Sequence, residues 1–245
     1  MTPDEPAVAE DPAVAGGVWC IWRGGDDEFL GIGAFPVAVV PEEYSTESAD
    51  DCDPGWICDT WQIQGDIWVN VNARDAASAS SIFTLVAPTL AERAAPLATP
   101  VAGQWTVPTC DELKSVMQTA LGRTDFGDFS GDNLPSGPTW QVLTATGAAL
   151  WCGWHGEGEG QYADQVEIYL GPGSADAATE ALAGGWDAIA VDGATHAAHL
   201  SAEAPLSSRI IATAGDNSLE VTTRFADSAQ QVALAAAVID FMESR

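Results

Sequence analysis

Leu150-Trp151-Cys152-Gly153-Trp154 has an echo 132 residues earlier in Val18-Trp19-Cys20-Ile21-Trp22, and the fold follows from reading these two stretches together. Both read as strands. Val18, Cys20 and Trp22 fall on one face of a period-2 strand, and Trp19 and Ile21 fall on the other. Both faces are expected to be covered, with the face of the cysteines, Trp22 and Trp154 forming core.

Outward from this pair, three further matches keep the same order. A strand with Val37, Val39 and Pro41 matches one with Ile168, Leu170 and Pro172. A Gly65-Asp66 turn matches Gly215-Asp216, each between alternating apolar runs that predict a hairpin: Trp61 and Ile63 into Ile67, Val69 and Val71, then Ile210 to Thr213 into Leu219, Val221 and Thr223. Asp75 and Asp227 each cap a helix, the first with Ile82, Phe83, Val86 and Leu90 on one face and a kink or early end at Pro88, the second with Leu234, Val238, Phe241 and Met242. Order and element type preserved together predict a degenerate tandem repeat.

Copy two also has elements that copy one lacks. Thr109 and Glu112 form a capping box before Leu113, Val116, Met117, Ala120 and Leu121, and Gly122 stops the helix. Trp140, Val142 and Thr144 alternate as a strand. A helix from Ser174 or Asp176 to about Leu182 and a strand with Trp186, Ile189 and Val191 follow Pro172. In copy one a shortened loop holding Cys52 and Cys58 replaces these last two. Residues 94 to 104, with two prolines and no apolar period, read as a linker.

The expected fold is therefore α+β: two related, mostly antiparallel sheet domains with helices packed on one face, disulfide-linked. Residues 1–16 form a flexible acidic lead-in, 17–98 a first, shortened repeat, and 99–245 a second, complete one.

Composition bounds the function. The 245 residues are 47% hydrophobic, enough to bury substantial cores. Against 36 acidic residues stand 8 basic ones, with Lys114 the only lysine, for a net charge of -28. Such a surface repels phosphate backbones and anionic headgroups, which argues against nucleic-acid binding and polybasic membrane docking. No run of about 18 apolar residues can span a bilayer, and Met1-Thr2-Pro3-Asp4-Glu5 is acidic where a signal peptide is basic.

Five cysteines, none in a Cys-x-x-Cys pair, read as disulfide material and place the protein outside the cytoplasm; Met1 is then expected not to be the native start. Two local bridges suit the pattern: Cys52 with Cys58 would staple a polar loop, and Cys110 with Cys152 would tie a helix to the sheet. Cys20, the homologue of Cys152, would have its own partner helix upstream. A rival pairing joins Cys20 to Cys58 and leaves Cys52 free.

Helix with Cys110, strand with Cys152-x-Trp154, strand, helix, strand, hairpin and terminal helix resembles the small secreted and lipoprotein domains of actinobacterial cell envelopes, relatives of the extracytoplasmic sensor domain of some receptor kinases. The resemblance implies a first disulfide at Cys110 and Cys152. The family's second pair is missing, since the positions near Ile211 and Gln231 carry no cysteine.

Candidate sites are few. An exposed indole stacks on a sugar face, and Trp56 and Trp105, in loops, are the candidates for ligand contact; the other tryptophans fit core strands. His196 and His199 point to opposite faces of a strand, with no third ligand between them, so no metal site is expected. His155 beside Glu157 and Glu159 sits among glycines, a poor scaffold for catalytic geometry. Asp125, Asp128 and Asp132, and Asp26-Asp27-Glu28, offer oxygen ligands without the spacing of an Asp-x-Asp-x-Asp-Gly loop and carry at most weak calcium binding. There is no Gly-x-Ser-x-Gly, no phosphate-binding glycine loop and no His-Glu-x-x-His. No catalytic residue, cofactor or bound metal is assigned. The expectation is a non-catalytic binding, sensing or scaffolding protein of the bacterial envelope, with an unknown envelope ligand or protein as partner; the alternative is a secreted carbohydrate-binding protein or glycosidase-like enzyme.

Overall fold

In the computed structural model the described residues are 2–3, 12–23, 29–45, 48–52, 58–91, 103–128, 137–156, 164–201 and 208–245, with backbone only for 2–3, 23, 29, 48–52, 87 and 90–91. Among the described residues the architecture is α+β, with two antiparallel sheets and five α-helices. Two compact units each hold one sheet. One contains the described residues up to 91 together with 137–148, and the other contains 103–128 and the described residues from 149 onward.

The first sheet has the order β1-β2-β3-β6-β5-β4: β1 (Thr2–Pro3), β2 (Val18–Arg23), β3 (Phe29–Pro36), β4 (Ser48–Cys52), β5 (Cys58–Gln64) and β6 (Ile67–Ala73). The short strands β1 and β4 lie at its edges. Gly65, at φ +63°, makes the left-handed step of the two-residue β5–β6 turn that a side chain would resist. Ala34, Val69, Val71 and Ala73 pack against Ala79 and Phe83 of α1 (Ala76–Ala91). Asp75 caps this helix, its Oδ1 accepting from the Ser78 N–H at 2.8 Å. Pro88 does not end it early; the helix runs three residues further.

The second sheet has the order β10-β11-β12-β13-β9-β8-β7: β7 (Phe126–Asp128), β8 (Leu150–Gly156), β9 (Gln165–Pro172), β10 (Asp187–Ala188), β11 (His196–Leu200), β12 (Ser208–Ala214) and β13 (Asn217–Thr223). On one face α2 (Cys110–Leu121) and α5 (Ser228–Glu243) bury Cys152, Trp154, Ile168, Leu170, Ile210 and Val221. Both helices open on full capping boxes, Thr109 with Glu112 and Asp227 with Gln230, and α2 closes on Gly122 at φ +66°. On the other face α4 (Ala177–Ala183) packs its alanines on Ala198 and Ile211.

The four long central strands of each sheet share both order and register. Cys20 pairs with Ile32, Ile32 with Val71 and Val71 with Thr60. Cys152 pairs with Ile168, Ile168 with Val221 and Val221 with Ile210. Each hairpin is followed by a 16-residue helix capped by an aspartate.

Several expectations are corrected. Trp140, Val142 and Thr144 lie not on a strand but on α3 (Pro138–Ala145), which starts with proline in its first turn and buries Thr139, Trp140, Val142 and Leu143 together, a helical rather than an alternating pattern. This helix clusters with the first unit, although it lies within the second repeat of the sequence reading. Helices therefore cover both faces of each sheet: in the first unit Thr139 accepts from Asn70 on the face opposite α1, and in the second α4 opposes α5. Val37 to Val39 form a 3-10 turn, so the strand matching β9 is β3, ending at Pro36 as β9 ends at Pro172. The strand expected over Trp186 to Val191 shrinks to β10. Within the lead-in, Pro12–Ala15 form a 3-10 turn that buries Ala15, and Thr2–Pro3 pair with β2.

Cys110 and Cys152 form a disulfide with their Cα atoms 5.5 Å apart, and it lies inside the second unit rather than joining the two. Cys58 is disulfide-bonded, and the ladder sets the backbone of Cys52 opposite it; the Cys52 side chain lies outside the described residues. Cys20 is a free, exposed thiol, which excludes its pairing with Cys58. The cysteine-bearing face is thus core on β8 and open on β2.

Candidate functional site

Strand alternation sorts the second sheet into an apolar face under α2 and α5 and a polar, aromatic one behind it. Trp151, Gly153 and His155 of β8 stand opposite Tyr169, Glu167 and Gln165 of β9, and β13 adds Glu220 and Thr222. Arg209 of β12 faces Thr222. Each polar residue interrupts an apolar run: Glu167 sits between Val166 and Ile168, and Glu220 between Leu219 and Val221.

Glu167 is the centre of this face. Its Oε2 accepts from Trp151 Nε1 at 3.2 Å and from the Tyr169 hydroxyl at 3.4 Å, and its Oε1 accepts from the Gln165 amide. Trp151 and Tyr169 meet edge to face with centroids 6.2 Å apart. Burial pushes the Glu167 carboxyl above its ordinary value; the Glu220 charge adds to this, while the Trp151 and Tyr169 hydrogen bonds and Arg224 pull it back. The Gln165 Oε1 is buried without a hydrogen-bond partner.

Glu220, 4% exposed, accepts from Arg209 through Nε at 2.6 Å and Nη2 at 3.0 Å, and from the Thr222 hydroxyl at 3.0 Å. The guanidinium lies 5.0 Å from the Trp186 ring centroid. Arg209 and Glu220 thus form a charge-neutral pair.

The residues singled out in the sequence fall elsewhere. Trp105 is 7% exposed and part of the core of the second unit; its backbone N–H donates to Asn217 Oδ1 at 2.8 Å and its indole N–H to Glu243 Oε1 at 2.9 Å. The structure thus overturns its expected exposure, because the segment before α2 is pulled against β13. Trp56 lies outside the described residues. His196 and His199 do sit on opposite faces of β11, since Ala197 and Ala198 point into different cores. Asp125 pairs with Arg123 and Asp128 with Lys114, leaving these carboxylates neutralised by cations rather than gathered on one; Asp132 and Asp26-Asp27-Glu28 lie outside the described residues. Among the described residues no group of three metal-ligating side chains converges, and no helix is long and apolar enough to cross a membrane.

Sequence reasoning placed His155 beside Glu157 and Glu159, which lie outside the described residues. The ladder instead pairs it with Gln165, one step along β9 from Glu167. Sequence reasoning missed Gln165, Glu167 and Glu220; an acidic residue inside an apolar strand, as at Glu167 and Glu220, is the signal that could have found the two carboxylates. No protein-family model, curated protein or solved structure matches this chain.

Proposed function

We propose that the chain is a non-catalytic extracytoplasmic binding, sensing or scaffolding protein of the bacterial cell envelope, and that the Trp151–Glu167–Tyr169 face of the second sheet is its ligand-contact surface. The observation that carries this reading is the saturation of both carboxylates. Glu167 and Glu220 each accept from two or more protein donors, an arrangement that fixes side chains as a preorganised recognition surface rather than freeing them to move protons. The indole and phenol beside them supply flat apolar faces suited to a sugar ring.

The Cys110–Cys152 disulfide supports the extracytoplasmic assignment. The common strand order and register of the two sheets supports a tandem duplication, with two copies related as first read from the Trp-Cys echo. Titration calorimetry of the purified protein with envelope polysaccharides and lipids, with and without calcium, tests the reading. Binding that Trp151→Ala weakens is the expected result; absence of binding to every class, or binding untouched by Trp151→Ala, overturns it.

A glycosidase-like activity is the second reading, favoured by the burial that raises the pKa of Glu167, with Glu220 as its carboxylate neighbour. Hydrolysis of an envelope polysaccharide that Glu167→Gln abolishes would select it over the first.

A further inference from the structure

In the second unit α2 lies beside α5 over β8, with Leu113, Met117 and Leu121 in the core and Cys110 bonded to Cys152. At the corresponding place in the first unit, beside α1 and over β2, there is no helix among the described residues. Equivalent positions record the difference. Cys152 is 1% exposed, whereas Cys20, at the same register position, is an exposed free thiol. Trp154 is buried and Trp22 half-buried. Leu234 and Val238 of α5 are fully buried, while Ile82 and Val86, at the same steps after the capping aspartate of α1, are half-buried. Val18, which pairs with Ala34 and so lies on the face of α1, is 42% exposed.

We propose that this face of the first unit is a docking site for an amphipathic helix of a second polypeptide, with a cysteine in its first turn that forms a disulfide with Cys20. The second unit supplies the template. Cys110 follows the N-cap Thr109 directly, and Leu113, Met117 and Leu121 come three, seven and eleven residues after it, so one helix face presents a thiol and then three apolar knobs. A net charge of -28 favours a partner helix of net positive charge. Bond formation is a two-electron oxidation. The Cys20 and partner thiols each lose a proton, the sulfur–sulfur bond forms, and the electron pair passes to the disulfide of an extracytoplasmic disulfide-donor protein, which leaves as a dithiol. This inference rests on the reading of the two units as a duplicated pair and stands apart from the ligand face of the second unit.

The test uses the intact protein and a synthetic twelve-residue peptide with a first-turn cysteine activated as its thiopyridyl disulfide, leucines three, seven and eleven residues later, and lysines outward. The Cys20 thiolate attacks the peptide sulfur and thiopyridone leaves with the electron pair. Docking predicts a mass-verified adduct at Cys20 formed about tenfold faster than with the same peptide carrying serines for leucines. Cys20→Ser gives no adduct, and Val18→Lys brings the rate down to that of the serine peptide. Equal rates for the two peptides with the unmodified protein, or preferential formation of a Cys20–Cys20 dimer between two copies, overturns the proposal.

Discussion

Arg209 on β12 holds Glu220 on β13 through paired hydrogen bonds at 2.6 and 3.0 Å, at the positions that Asp59 and Asn70 occupy in the other hairpin, where the Asn70 amide donates to Asp59 Oδ1 at 2.9 Å. The same diagonal of the same ladder carries a polar cross-strand link in both units. In the second unit it holds a buried charge.

Arg209→Ala leaves the Glu220 carboxylate buried without its cation, with Thr222 as its donor among the described residues. Removing one partner of a buried pair costs far more than the pair contributes, so a loss of about 3 kcal/mol in denaturant unfolding is expected. Glu220→Gln, which removes the charge while keeping an acceptor, is expected to cost less than half of that loss.

Glu167 gives stability a pH dependence of definite sign. Burial raises its folded value above the unfolded one, so the native state holds the extra proton, and stability falls as pH rises from the ordinary value of 4.5 through the raised folded value. Above that window the cost stays constant. Melting temperatures measured across the window should decline in the native protein, and Glu167→Gln should remove that part of the slope.

Glu112 acts in the opposite direction at lower pH. The Thr109 backbone N–H, then Arg245 and the Thr109 hydroxyl, hold its carboxyl at about 2, so its contribution is present above the ordinary 4.5 and is lost as pH falls toward 2. Amide protection, taken relative to the intrinsic exchange rate at each pH, should fall in the first turn of α2 as pH drops across that range, and Glu112→Ala should show the lower protection at all pH values.

Reduction of Cys110–Cys152 opens a loop closed across a sequence separation of 42, which chain entropy values at about 4 kcal/mol. Denaturant unfolding of Cys110→Ala with Cys152→Ala should show that loss, with the first unit unaffected.

Gly33 tests how α3 is seated. A β-carbon there would lie 2.5 Å from Thr139 Oγ1, so Gly33→Ala should destabilise the first unit by about 1–3 kcal/mol. Thr139→Ala removes the obstructing atoms, and the double variant should recover part of the loss, a coupling that separate defects would not show.

Local chemistry alone determined much of this protein. The Gly65 and Gly215 turns, the capping boxes at Thr109 and Asp227 and the period-2 strands beside them depend on residues within a few positions of one another, so they read directly from the sequence. The Trp-Cys echo likewise marked β2 and β8, now seen at equivalent places in two sheets of the same order. The Cys110–Cys152 bridge also followed, because a helix start and a strand centre were each identified.

Tertiary structure decided the rest. Trp140 and Val142 alternate like a strand over a stretch too short to separate period 2 from period 3.6, and burial of Thr139 and Leu143 beside them made it a helix. Trp105 was assigned to a loop, yet long-range bonds to Asn217 and Glu243 bury it. Gln165, Glu167, Glu220 and Arg209 come from three strands spread over 56 residues, and only the β9–β13–β12 register sets them on one face. The two cysteines of the echo share a motif and a register; what differs is that Cys152 has a helix packed over it while Cys20 is exposed, with no helix over it among the described residues, a fact of packing that no local pattern encodes.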